Sequence, residues 1–146
     1  MKIKLDINEK YAETEIIIKT NKITNEVKEI VDFVDKKKPD HFIGIKDEKT
    51  SIIKPNEVFT IYAQQGKVFL ETEKDIFEIR IRLYEVLEYN YSSSFIRISK
   101  SEIINMEKID FFESDITGSI VIVLKNKKRS YVSKRYTKNI KERLGV

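Results

Sequence analysis

At 146 residues, the chain has room for one ordinary domain, or for a domain of about 100 residues with a small structured extension. Apolar residues make up 40% and charged residues 36%, with only four Gly and two Pro, which excludes a disordered or low-complexity chain. With no Cys and His41 as the only histidine, disulfides, zinc ribbons, iron-sulfur clusters, thiol nucleophiles and multi-histidine metal sites are excluded.

The start, MKIKLDINEK, has no apolar h-region after its lysines, and nothing downstream approaches the ~20 uncharged apolar residues of a membrane span. A cytoplasmic protein without metal or cofactor is expected. Ile3 and Leu5 alternate with lysines and TEIIIKT (14–20) is a β-branched run, so two short strands are predicted to open the chain. Ile23, Val27, Ile30, Val31 and Val34 then draw one stripe down a helix that Thr24 can cap. The polar run Asp35, Lys36, Lys37, Lys38, Pro39, Asp40 ends it, because proline cannot continue a helix. Residues 1–40 therefore read as a β-β-α extension, too small to fold well alone, which needs the main domain or a second subunit to cover its helix.

Beyond the boundary, residues 41–146 are mostly strand-length. HFIGI, TSIIK, VFTIYA, KVFLET, FIRIS, EIINM, IDFFE, SIVIVLK and SYVS are predicted strands, so the fold class is mainly β. In SIVIVLK, apolar residues occupy both faces, which predicts cover on both sides. Two short helices interrupt them: Ile79, Leu83, Val86 and Leu87 repeat within EIRIRLYEVLEY, and Tyr136, Ile140 and Leu144 repeat near the end, where Gly145 suits the C-cap.

Charge is unevenly placed. Residues 1–40 carry nine basic and nine acidic side chains, residues 41–115 ten and fourteen, and residues 116–146 nine basic residues against Glu142 alone. A local excess of this size attracts a polyanion, whether nucleic acid or an anionic membrane surface, and an ordinary solvated charged end has the same composition. No P-loop, GxGxxG, GxSxG or HExxH is present, and carboxylate pairs such as Glu71 with Glu73 suit a solvated face as well as acid/base work, so no enzyme is expected. Of the aromatic residues only Tyr131 and Tyr136 sit within the basic block, where a base-stacking surface has room.

Two segments are informative, FIRISKSEIIN (95–105) and KNKKRSYVSKRY (125–136). Each delivers small hydroxyl and long basic side chains to a strand end: Arg97, Ser99, Lys100 and Ser101 in the first, Ser133, Lys134 and Arg135 in the second. Ser and Lys hold phosphate oxygens, and an Arg fork pairs two acceptors on a guanine edge.

The order of FIRISKSEIIN, a spacer beginning MEKIDFFES, and IVIVLKNKKRSYVSKRYTKNIKERL resembles the second half of the LytTR family of bacterial transcription regulators. Members read F-x-R-x-H/S-N/R/K-S-x-I/L/V-V/I-N, then a strand, a K-N turn and Y-V-S-R/K-R/K-Y. Phe95, Arg97, Ser99, Lys100, Ser101, Asn105, Lys125, Asn126, Tyr131, Ser133, Arg135 and Tyr136 fill those places. Upstream, EVFTIYAQQGKVFLET stands where the family has its I-x-Y-I-E-S strand, with Tyr62-Ala63 in place of Glu-Ser, and RLYEVLE stands for its L-x-E-L helix.

The resemblance implies an elongated multi-sheet β fold that inserts loops, instead of a recognition helix, into successive major grooves of double-stranded DNA. It implies base contacts from the Gln64, Gln65 and Lys67 loop, from Lys100 and from Arg135, and phosphate contacts from Lys125, Ser101 and Ser133. Ser99 and Lys100 stand where many members carry His or Asn, which implies a different target sequence. Forty residues cannot hold a phosphoacceptor domain of ~120, so regulation through abundance or a partner, such as a membrane protein, is expected in place of phosphorelay. A homodimer on paired half-sites is the expected assembly. The rival readings are an adaptor that uses the basic C-terminus on anionic lipid, which requires a basic amphipathic helix, and an RNA binder that stacks unpaired bases on exposed aromatics.

Overall fold

A threonine begins the first regular element. In the computed structural model, which describes residues 1–35 and 39–146, Thr24 Oγ1 accepts the amide of Val27 at 3.3 Å and caps α1 (Asn25–Asp35). The chain divides into two units, Met1–Lys37 and Lys38–Val146. Lys36, Lys37 and Lys38, in the middle of the polar run that ends the helix pattern, lie outside the described residues.

In the first unit the two strands expected within residues 1–20 do not form. The segment has no regular element, only a turn in which the Tyr11 amide donates to the Asn8 carbonyl at 3.2 Å, and it has no ladder partner among the described residues. The physical reason is that two short strands without a third strand or a covering helix are marginal in water. Ile3, Leu5, Ile7, Ile16 and Ile17 are all exposed, and α1 buries none of its residues despite its apolar stripe.

The second unit is mainly β. All nine predicted strands form: β1 (Phe42–Lys46), β2 (Lys49–Ile53), β3 (Thr60–Gln64), β4 (Lys67–Glu71), β6 (Phe95–Ser99), β7 (Glu102–Asn105), β8 (Ile109–Ser114), β9 (Ile120–Leu124) and β10 (Arg129–Tyr131). A tenth, β5 (Ile76–Ile79), occupies the start of the segment read as helix, and α2 is confined to Leu83–Glu88. Ile79 serves either period, because it lies four residues before Leu83 and also alternates with Arg80, Ile81 and Arg82. Pairing decides the outcome: four consecutive residues of β5 find partners on β4.

The strands make a seven-stranded antiparallel sheet of order β2-β1-β5-β4-β3-β7-β6 and a three-stranded one of order β10-β9-β8. Side chains alternate across each strand, so the larger sheet builds a core on each face. One contains Phe42, Ile61, Leu70, Phe95 and Ile103, with Leu83 and Val86 of α2 packed on them. The other joins Ile96, Ile98 and Ile104 to Ile120, Ile122 and Leu124 of β9 and to Ile140 of α3 (Lys134–Leu144). Val123, on the opposite face of β9, is buried too. Helix α3 ends at Gly145, whose φ of 76° is the left-handed cap that favours glycine.

Candidate nucleic-acid interface

Three turns converge at one end of the larger sheet. The β3–β4 hairpin closes through Gln65 and Gly66, both at positive φ (51° and 76°), which is the two-residue geometry that matches strand twist. This leaves Gln64, Gln65 and Lys67 exposed at the tip. The Ala63 amide of the same hairpin donates to the Ser101 carbonyl at 2.8 Å, which ties in the β6–β7 turn. The Ser133 amide, at the start of α3, donates to the Ile98 carbonyl of β6 at 2.9 Å. Gln64, Gln65, Lys67, Ser99, Lys100, Ser101, Ser133, Lys134 and Arg135 are thus held on one hydrogen-bonded frame.

Arg97 is part of that frame. Its Nε donates to the Ser99 carbonyl at 3.1 Å and its Nη2 to the Lys100 carbonyl, so the guanidinium clasps the bulged β6–β7 turn. The Ser101 amide in turn donates to Ser99 Oγ at 3.2 Å. Lys100 is left at the apex, exposed and without a salt bridge among the described residues.

Lys134 and Arg135 occupy the first turn of α3, one step past the strand end where the sequence placed them. Cations there are disfavoured by the helix macrodipole by about 0.3–1 kcal/mol, and no acidic residue stands in the turn to compensate. Ser133 is the N-cap but its side chain makes no capping bond. The result is a concentration of positive potential and open amides that favours an external anion. Among the described residues neither Arg135 nor Lys134 has a carboxylate partner; Glu142, seven residues on, is not bonded to Arg135.

Lys125 lies elsewhere. The β9–β10 turn is anchored on Glu71, at the opposite end of β4 from Lys67: Lys128 Nζ lies 2.9 Å from Glu71 Oε2, and Asn126 Nδ2 donates to Oε1 at 3.3 Å. Four strand steps, roughly 14 Å, separate the two ends of β4. Lys128 also lies over the Tyr62 ring, so it is a structural cation, whereas Lys125 and Lys127 are exposed. Arg129 is paired with Glu113 at 2.7 Å, which raises its pKa above the ordinary guanidinium value. Two carboxylates support these turns, Glu71 and Glu102, the latter accepting the Ser130 hydroxyl at 2.9 Å; the sequence offers Glu71 only as half of a carboxylate pair and gives no signal for Glu102, since their partners lie in the other sheet.

The profile of the LytTr DNA-binding domain matches residues 48–145. The chain belongs to the LytTR family. A Staphylococcus aureus protein (strain MSSA476) described as an uncharacterized HTH-type transcriptional regulator is 37% identical over 147 aligned positions, covering 100% of this chain and 99% of that one. Its counterpart in strain MRSA252 is 35% identical with the same coverage. The LytTr DNA-binding domain of a Bacillus cereus protein superposes with a TM-score of 0.70 at 20% identity, covering 74% of this chain and 99% of that domain. In this LytTR chain no two described helices are joined by a short turn, since 47 residues separate α1 from α2 and 45 separate α2 from α3. The helix-turn-helix in the relatives' description is not the architecture found here.

Proposed function

We propose that this LytTR protein is a transcription regulator that binds double-stranded DNA sequence-specifically and reads the major groove with loops. The observation that carries the reading is the frame of backbone bonds that gathers Lys100, Arg135 and the Gln64–Lys67 hairpin tip at one end of the sheet. Lys100 and Arg135, with Gln64, Gln65 and Lys67, supply base contacts there, while Ser99, Ser101, Ser133, Lys134 and the α3 amides hold phosphates beside them. Lys125, at the far end, anchors a phosphate of a neighbouring stretch of backbone. Arg97 positions the Lys100 turn. The names of the S. aureus relatives, which the chain matches along its whole length, support the regulatory role.

Residues 1–40 serve as the assembly segment of a homodimer on paired half-sites, with residues 41–146 as the DNA-binding domain. The balanced charge of the extension, nine basic against nine acidic side chains, lets two copies approach without repulsion, and its exposed isoleucines need cover. The adaptor reading loses its main element, because the apolar face of α3 (Tyr136, Ile140, Leu144) is packed into the second core instead of being available to lipid.

Titrating the full chain against duplex DNA, single-stranded RNA and anionic vesicles over a range of salt tests the reading. Duplex affinity is expected to dominate and to fall steeply with salt, as several Lys and Arg displace condensed counterions. Binding to vesicles alone, or to unpaired RNA in preference to duplex, would overturn it.

A further inference from the structure

We propose that Glu102 is a positioning residue that fixes the direction in which the first turn of α3 faces relative to the Lys100 turn, and so sets sequence discrimination. The inference rests on the DNA-binding reading above and deepens it. Glu102 opens β7, immediately after Lys100 and Ser101. Its Oε2 accepts the hydroxyl of Ser130 on β10 at 2.9 Å and lies 2.8 Å from Thr60 Oγ1 on β3. Thr60 Oγ1 also lies 3.0 Å from the Ile103 carbonyl, so its single proton is shared between the two acceptors. Ser130, at 2% exposure, makes its side-chain hydrogen bond to this carboxylate. One oxygen thus joins the larger sheet to the last strand of the smaller one.

Strand β10 is only three residues long, and Val132 and Ser133 alone separate it from α3. Among the described residues the Ser133 amide bond to Ile98 is this junction's one backbone tether to the larger sheet, while the Val132 amide, on the Ile120 carbonyl at 3.0 Å, and the β9 ladder hold it within the smaller one. The Arg143 guanidinium, bonded to the Ser93 carbonyl, holds the far end of α3. The Glu102–Ser130 bond gives a second tether to the larger sheet, three residues away, and two tethers define a direction. Apolar contacts of Val132 and Ile140 supply cohesion without direction, because hydrophobic burial is not oriented. A half-buried carboxylate here adds a directional bond where an apolar pair would add only cohesion. Recognition of a base edge tolerates only about 0.5 Å and 10–20° of error, so a swing of this junction is felt at Arg135 first.

The test compares wild type, Glu102→Ala, Glu102→Gln, Ser130→Ala and the double alanine variant for binding to the duplex most enriched from a random pool and to its scrambled form, with melting curves alongside. Glu102→Ala and Ser130→Ala are each expected to reduce the cognate-to-scrambled ratio by roughly 5- to 20-fold, with scrambled affinity changed less than about twofold because no cation is removed and contacts to phosphate tolerate a swing that a base edge does not. The double variant is expected to be no worse than the poorer single one, since both remove the same link. Glu102→Gln, which keeps an acceptor oxygen in place, is expected to restore most of the ratio. An unchanged ratio in a folded Glu102→Ala protein would reduce Glu102 to a packing role, and a folded Glu102→Gln as poor as the alanine variant would make its charge the cause; either overturns the proposal. If wild type shows no preference between the duplexes, the DNA reading fails first and takes this inference with it.

Discussion

The amide of Ser133 donates to the carbonyl of Ile98 at 2.9 Å, so the turn that carries Lys134 and Arg135 is fastened to the strand that runs into Lys100. Segments more than thirty residues apart in sequence thereby become one surface. Lys125, on the turn anchored to Glu71, stands outside it. The two ends are expected to respond differently to mutation.

Arg135→Ala should weaken binding to the preferred duplex by roughly 5- to 150-fold, since two parallel hydrogen bonds to one base are worth about 1–3 kcal/mol of discrimination. Its effect on a scrambled duplex should be much smaller. Lys125→Ala should weaken both duplexes alike and lower the log-log salt slope by about one unit, as expected for a phosphate contact. Anisotropy titrations at several salt concentrations separate the two; if Arg135→Ala leaves the preference intact, it is not a base reader.

A chain beginning at Asp40 should retain the β-rich fold and bind DNA weakly while losing self-association. Every residue of both described cores lies within residues 42–144, whereas the exposed isoleucines of the extension and the bare stripe of α1 are removed. Sedimentation of both chains at matched concentration checks this. Equal, monomeric behaviour would leave the extension without an assembly role.

Gly44→Ala should destabilise the domain by about 1–3 kcal/mol, the usual cost of overpacking a core. A methyl group there would sit 2.5 Å from Ile53 Cδ1 and 2.8 Å from Phe77 Cβ, deep in the first core and far in sequence from the basic segments. Melting should register the loss, while DNA preference measured on the folded fraction stays unchanged. A variant as stable as wild type would mean that β1 and β2 can part cheaply at this point.

Most of the architecture is legible because short runs of β-branched and aromatic residues mark strands, as in Phe95-Ile96-Arg97-Ile98-Ser99, where Phe95 enters one core and Ile96 and Ile98 the other. Where the reading failed, two periods or two environments competed. Ile79 fits a helical repeat with Leu83 as well as an alternation with Ile81, and only the neighbouring strand β4 decides between them. Ile16–Ile18 has the composition of a strand but no ladder partner among the described residues. In the site, the exposed residues could be nominated from type and spacing, since Lys100, Ser133 and Arg135 sit at the ends of apolar runs. Their supports could not. Glu71 is bonded to Lys128, 57 positions away, and Glu102 to Ser130, 28 positions away; such pairs exist only once the two sheets have packed. Arg97 reads as a DNA contact in sequence and instead folds back onto its own turn, because the bulge beyond it offers two carbonyls.

Base reading by loops is what would separate this protein from one that merely coats DNA. Selecting bound duplexes from a random pool with the full chain, then repeating the selection with a Lys100→Ala, Arg135→Ala double variant, tests it most directly. A defined motif is expected for the wild type, present as two spaced copies if the chain dimerises, and a motif degenerate at the positions those two side chains contact is expected for the variant. A pool that stays random through successive rounds, while duplex DNA is still retained, would show that the basic end grips phosphates without reading the bases, and would rule out sequence-specific recognition.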